Sequence, residues 1–427
     1  MVATGVFLAA AQDVVVTIRN TTVFVLPSRA DSTQQLLRFE VLQGADAVQE
    51  AAQEDGEQPE EKKATQPAAA ANRITAMEFF QPQDSSSFAL LLLVDERRLV
   101  YYELDCSAAT LELRSSRAVP RSATCMAVGH LALSTGERKY VVIVGQKTGE
   151  AVAVPFPDVS RDLKTLLGHT TSMVTHIAVN HDSSLLLTAD RDEKVRVSRF
   201  PNAAIIESYC LGHAASLTKL ACSVVTPGLV VSTSMDNTLK LWEMASGTLL
   251  ASQPLLPDVQ VAVEPTDKTE TEEEGAGSAA KSLLNVSLAI CPKTNTVAVL
   301  VDYQHVRFFS IVAAEGAHTL AELPFPTEDA QKLLVNGPCE LLFTADGVLA
   351  VSYKKTPFVQ LFAISQGESK RLLPVADAAA VAFRDFRSAA ATIDLIDGEA
   401  EALDELEDGL KKKKARTAEW KKLPDAN

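Results

Sequence analysis

The chain has 427 residues, 47% hydrophobic and 22% charged, a globular composition with room for a large core or for two or three ordinary domains. Its formal charge of −15 gathers in acidic blocks at 45–66, 264–281 and 397–408, against a basic run at 411–422. The remaining body is only mildly acidic, which argues against it gripping a polyphosphate backbone by itself. The six cysteines (106, 125, 210, 222, 291 and 339) include no pair at metal-ligand spacing, and the chain is too long to need disulfide staples. A reduced intracellular compartment is expected, with the thiols as core filler. The opening "MVATGVFLAA" has no basic leader pattern, and the longest apolar run, "FALLLLV", is too short to span a bilayer.

In chain order, "DVVVTIRN" and "TVFVLPS" read as strands, and 45–72 follows as an acidic, low-complexity insert expected to be disordered. Strand-like runs resume with "FALLLLVDERRLVYYELD" and "KYVVIVGQKTGEAVAVPF". Two further sets come next, then a second acidic insert at 264–281. "TVAVLVDYQHVRFFSI" and "GVLAVSYKKTPFVQLFAI" complete the series. Long amphipathic helical periods between strands are missing, so an all-β fold of successive hairpins is expected. The stretch "AVAFRDFRSAAATIDLI" reads equally as strand or helix, and 397–427 reads as a charged tail.

One repeat identifies the architecture. "LLGHTTSMVTHIAVNHDSSLLLTADRDEKVRVSRF" aligns without a gap on "CLGHAASLTKLACSVVTPGLVVSTSMDNTLKLWEM". The period, about 44 residues, falls in the WD-repeat range. Such repeats bury a polar chain of His, Ser or Thr, Asp and Trp. Each link is worth roughly 1 kcal/mol net, and an unpaired member costs about 1–3 kcal/mol. The second repeat carries the full set as His213, Ser232, Asp236 and Trp242. The first is expected to use His169, Thr188 and Asp192, ending on Ser198. The fold class is therefore an all-β, seven-bladed WD-repeat β-propeller over 1–396, with six or eight blades left open. Blades are expected near 73–118, 122–160, 166–208, 211–253, 283–323 and 337–375. The N-terminal strands would supply one more, closed by strands from the other end of the chain.

No catalytic or metal constellation assembles. "GAGSAAKS" lacks the second glycine of a phosphate loop, at Ala280, and lies in an acidic insert. His176 and His181 read as turn or surface residues, and His169 and His213 as histidines that hold the fold. The unusual feature is the turn Asp190-Arg191-Asp192-Glu193-Lys194-Val195-Arg196. Relative to "MDNTLK" in the sister repeat, Arg191, Glu193 and Lys194 replace Met235, Asn237 and Thr238, which the fold itself does not require. The turn is either a solvated polar connection or a docking surface.

"LTADRDEKVRVSRFPNAAIIESYCLGH" closely resembles the corresponding stretch of the WD-repeat non-catalytic subunit of the tRNA (guanine-N7-)-methyltransferase. The resemblance, close over roughly 160–250, implies a propeller without an active site or cofactor of its own. It would form a heterodimer with a Rossmann-type catalytic subunit that carries S-adenosylmethionine and methylates a guanine in the tRNA variable loop. It makes Asp190, Arg191, Glu193, Lys194 and Arg196 the candidate partner-binding residues. In the tail, Lys411, Lys412, Lys413, Lys414 and Arg416 suit nuclear import or contact with tRNA phosphates. A nuclear location, shared with the cytoplasm, is expected, and no membrane association. The competing reading is a generic WD-repeat scaffold in ubiquitin ligation or ribosome assembly.

Overall fold

The computed structural model describes residues 6–12, 14–27, 37–42, 72–170, 172–256, 286–314, 316–324, 333–334, 337–353, 359–365 and 372–374. These residues contain twenty-eight strands in seven four-stranded antiparallel sheets, each ordered as in the chain. Strands β1–β4 lie within 6–40, β5–β8 within 74–118, β9–β12 within 123–168 and β13–β16 within 174–211. Strands β17–β20 lie within 217–254, β21–β24 within 286–322 and β25–β28 within 338–374.

The first strands of the seven sheets are β1 (Val6–Ala11), β5 (Ile74–Phe80), β9 (Ala123–Ala132), β13 (Val174–Val179), β17 (Leu217–Cys222), β21 (Val286–Ile290) and β25 (Pro338–Phe343). Each packs against the first strand of the next sheet, and β25 packs against β1. The ring is closed, and the molecule is a seven-bladed β-propeller.

The second strand of each blade lies between neighbouring blades and is buried on both faces. That is why β2 (Val14–Arg19), β6 (Phe88–Val94) and β18 (Leu229–Ser234) are buried throughout and read as continuous runs rather than alternations. The core sits between adjacent blades: Val231 and Leu241 of the fifth pack with Val297 and Val299 of the sixth. Burying each such side chain is worth about 1.5–3 kcal/mol.

Polar groups also link the inner ring from blade to blade. Thr124 Oγ1 donates to Val174 O at 2.5 Å, and Leu220 N–H to His176 Nδ1 at 3.3 Å. Leu341 N–H donates to Ser287 Oγ at 2.9 Å, and Leu8 N–H to Glu340 Oε2 at 2.8 Å.

Three sequence expectations are corrected here. Among the described residues the first blade consists of β1–β4, with no strand from the far end, and the ring closes through contacts of β1 with β25 and β26 (Leu349–Tyr353). The sheets are cut one strand later than the sequence repeats, because β12 (Lys164–Gly168) is the outer strand of the third blade and not the opening of the fourth. His176 is neither a turn nor a surface residue; it lies within β13 at the inner ring.

The insert at 264–281, residues 45–71 of the other, the stretch 380–396 and the tail 397–427, with Lys411 to Lys414 and Arg416, lie outside the described residues. Asn72 is described. It donates to Leu42 O at 3.3 Å and accepts from Arg98 at 3.0 Å, so the chain on either side of that insert is joined.

A candidate protein interface on the fourth blade

The fourth blade is built from β13, β14 (Leu185–Asp190), β15 (Lys194–Arg199) and β16 (Ile206–Leu211). Its sister, the fifth, shows the complete polar chain. His213 Nδ1 donates to Asp236 at 2.8 Å, Ser232 Oγ lies 2.8 Å from His213 Nε2, and Trp242 Nε1 donates to Ser232 Oγ at 2.8 Å. A His213 tautomer protonated on Nδ1 satisfies the whole network. The Asp236 carboxylate also accepts from Ala214 N–H, Thr238 N–H and the Thr238 hydroxyl. Burial would raise it, but these bonds and His213 hold it far below the usual carboxylate range.

In the fourth blade His169 Nε2 meets Thr188 Oγ1 at 2.7 Å as expected, but its Nδ1 donates to Asp190 at 3.0 Å and not to Asp192. This corrects the expectation that Asp192 completes the polar chain of the first repeat, and the cause is local. Asp190 replaces Ser234 of the sister repeat, on the same strand face as Thr188. A carboxylate there reaches the imidazole from the strand itself. Asp192 is left in the turn, where its N–H donates to Ser172 Oγ.

Asp190 is 0% exposed, which removes it from the free docking surface. Burial would raise its carboxyl, but the bonds from His169 and Lys194 N–H, with the nearby Lys194 charge, hold it below its ordinary value.

Arg196 is likewise turned inward, only 8% exposed. Nε donates to Ser198 Oγ at 2.9 Å, and the two terminal nitrogens donate to Gly168 O at 3.3 Å and Ala203 O at 2.8 Å. Gly168 is the equivalent of Gly212, which packs on the Trp242 ring in the sister blade. The guanidinium therefore reaches the region an indole serves next door, which accounts for Ser198 where the sister has Trp242. In the isolated chain Arg196 has a structural role.

The residues left facing outward are Arg191, Glu193 and Lys194. The first two are exposed; the Lys194 side chain is 37% exposed, its Nζ 3.2 Å from Asp190 and donating to Asp192 O. The fold does engage Lys194, then, by replacing the Thr238 hydroxyl with an ammonium. Glu193 has φ of +74°, matching Asn237 at +62° in the sister turn. Asn tolerates this left-handed backbone better than Glu, so Glu193 is held at a conformational cost.

Sequence reasoning missed an apolar flank. On β16, Leu211 is 61% and Tyr209 40% exposed, and they pair across the strands with Lys194 and Arg196 respectively. Directly paired residues share a face, so Lys194 stands beside two exposed apolar side chains. The signal was "IESYCL", apolar residues on the outward positions of a strand, legible only once β16 is known to be outermost. Among the described residues no group of three His, Cys, Asp or Glu is arranged to hold a metal, and no helix is long and apolar enough to cross a membrane.

Closed ring, blade geometry and buried polar chain together define a WD40-repeat β-propeller. Within that class, residues 146–327 match the family model described as the tRNA methyltransferase TRM82 WD40 domain, so the resemblance read from the fourth blade is borne out. The tRNA (guanine-N(7)-)-methyltransferase non-catalytic subunit wuho of Culex quinquefasciatus is 32% identical over 170 residues, 40% of each chain. The subunit WDR4 of Homo sapiens is 34% identical over 177 residues, 40% of this chain and 41% of that one. The subunit trm82 of Aspergillus oryzae is 42% identical over 99 residues, 21% and 20% of the two chains. The chain thus spans about two-fifths or less of the length of these relatives in the matched regions.

Two solved structures share the fold alone. A chain of a mitotic checkpoint complex has a TM-score of 0.52 at 13% identity, covering 86% of this chain and 89% of that one. The Cps50 (Swd1) propeller domain of Myceliophteria thermophila has a TM-score of 0.51 at 10% identity, covering 86% and 98%.

Proposed function

We propose that this chain is the non-catalytic propeller subunit of a tRNA (guanine-N7-)-methyltransferase and that it holds the catalytic subunit on its fourth blade. The observation that carries the reading is the outward set Arg191, Glu193 and Lys194, flanked by Leu211 and Tyr209. Arg191 and Glu193 are not engaged by the blade's polar chain, and Glu193 sits in a backbone conformation better suited to the Asn of the sister turn. An apolar centre beside opposed charges suits a protein partner better than a phosphate backbone. The names of the matched relatives support the same conclusion. In this reading S-adenosylmethionine and the methyl transfer belong to a Rossmann-type partner. The propeller raises activity by stabilising that partner, and the basic tail serves nuclear import or contact with tRNA.

The test is a pull-down of the tagged full-length protein from its own cells, with mass spectrometry of the proteins that co-purify. Recovery of a methyltransferase, reduced at least tenfold by Leu211→Ser or Lys194→Thr, is expected. Lys194→Thr is preferred to charge reversal because a threonine at this place already works in the sister blade as Thr238, whereas a glutamate would face Asp190. Capture of ubiquitin-ligase or ribosome-assembly proteins in place of a methyltransferase would overturn the proposal in favour of a general scaffold.

A further inference from the structure

Five of the seven inner strands carry a β-bulge against their second strand, and the residue just past it occupies the same place in each. These residues are Ala76 on β5, Cys125 on β9, His176 on β13, Lys219 on β17 and Glu340 on β25. Glu78 lies two residues beyond Ala76, on the same face of β5. The remaining inner strands, β1 and β21, have the sequences VFLAAA and VSLAI and add no titratable side chain.

These groups feel one another between blades that are not neighbours. The Lys219 charge in the fifth blade acts on Glu78 in the second, Glu340 in the seventh, Cys125 in the third and His176 in the fourth. All of them lie on inner strands that pack one against the next in a single closed ring, so charges on separate blades surround a common axis. No hydrogen bond or ion pair ties Glu78 or Lys219 to a particular partner among the described residues. The Glu340 carboxylate accepts from Leu8 N–H.

The charge balance is simple. Burial pushes His176 well below its usual value, with Lys219 adding to the effect, so the imidazole stays neutral. Burial pushes the Cys125 thiol up to about 11, so it too is uncharged. On the described inner strands Lys219 is left as the single positive charge for two carboxyl groups. Burial raises both, Lys219 draws both back, and Glu340 raises Glu78 further, to about 8. One ionised carboxylate is matched by the lysine; a second has no counter-charge on the described inner strands, where these side chains are only partly exposed to water. The two carboxyls titrate as a coupled pair.

We infer that Lys219 is the shared counter-charge of Glu78 and Glu340, and that the second ionisation of this pair makes the closed ring of inner strands pH-sensitive. A carboxyl whose folded-state value is raised stabilises the folded chain most below its unfolded value. That contribution is lost as pH rises through the folded value. For Glu78 the loss runs from about 4.5 up to about 8 and then levels off.

The experiment is thermal unfolding of the full chain at one scan rate, stepped across the neutral to mildly alkaline range, for the wild type, Glu78→Gln, Lys219→Met and the double variant. The wild-type midpoint should fall with pH. Glu78→Gln should flatten that fall and gain most over wild type at the alkaline end. Lys219→Met should lower the midpoint throughout, and the double variant should regain most of that loss. An unchanged pH slope in Glu78→Gln, or a double variant no better than Lys219→Met, would overturn the inference. Should Lys219→Met not accumulate, the slopes of Glu78→Gln and Glu340→Gln decide the matter by themselves.

Discussion

Lys194 and Asp190 form an ion pair, Nζ to Oδ2 at 3.2 Å, in which the carboxylate is wholly buried and the ammonium is not. The same carboxylate holds His169, so one residue joins the polar chain inside the blade to the charged turn outside it. Asp190→Asn is expected to cost about 1–3 kcal/mol by weakening bonds to His169, Lys194 N–H and the ammonium together. Asp192→Asn, in the turn, should fall within about 0.5 kcal/mol of wild type. Urea unfolding of the two variants side by side distinguishes them, and the reverse order would return the buried role to Asp192.

Glu193 should show opposed effects on stability and docking. An asparagine there suits the left-handed backbone at φ +74°, as Asn237 does next door, so Glu193→Asn should stabilise the isolated chain by about 0.5–1 kcal/mol. The same change should weaken the proposed complex, because it removes an exposed charge. Melting of the free protein and titration with the partner read the two effects separately. A variant that loses stability and keeps full affinity would contradict both halves.

Arg196→Met keeps much of the side-chain volume but leaves Ser198 Oγ, Gly168 O and Ala203 O without the guanidinium. Loss of three bonds from one buried charged donor is expected to cost about 2–3 kcal/mol of blade stability. Any loss of complex in this variant is then a consequence of folding. Hydrogen exchange at β15 and β16 would register it, with faster exchange there than in the first two blades.

Acid should loosen the fifth blade through Asp236. Its folded-state value is depressed, so the stabilisation is complete above the unfolded value of about 3.8 and is lost as pH falls through it towards the folded one. Asp190, depressed more modestly, adds to the same slope. Asp236→Asn should be less stable at neutral pH and less sensitive to acid than wild type, as followed by the near-ultraviolet signal of Trp242.

Strands, blade number and the paired repeats were legible because each depends on nearby residues. Apolar runs such as "FALLLLV" mark strands buried on both faces, and "MDNTLKLW" spells out a turn and its polar chain within one blade. Asp190 and Asp192 were not separable in that way. They are two residues apart, both acidic, and either satisfies the pattern; only the distance to His169 decides.

The sequence by itself determined an all-β chain of repeating hairpins, its likeness to one family of propeller subunits, and a turn whose charges exceed what its sister repeat carries. The tertiary structure alone decided that Asp190 and Arg196 point inward, that Leu211 and Tyr209 flank Lys194, and that Glu78, His176, Lys219 and Glu340 lie on the inner strands of one closed ring. The physical reason is range. A hairpin is specified by neighbours along the chain, whereas burial and electrostatic coupling arise between strands and blades brought together only when the ring closes.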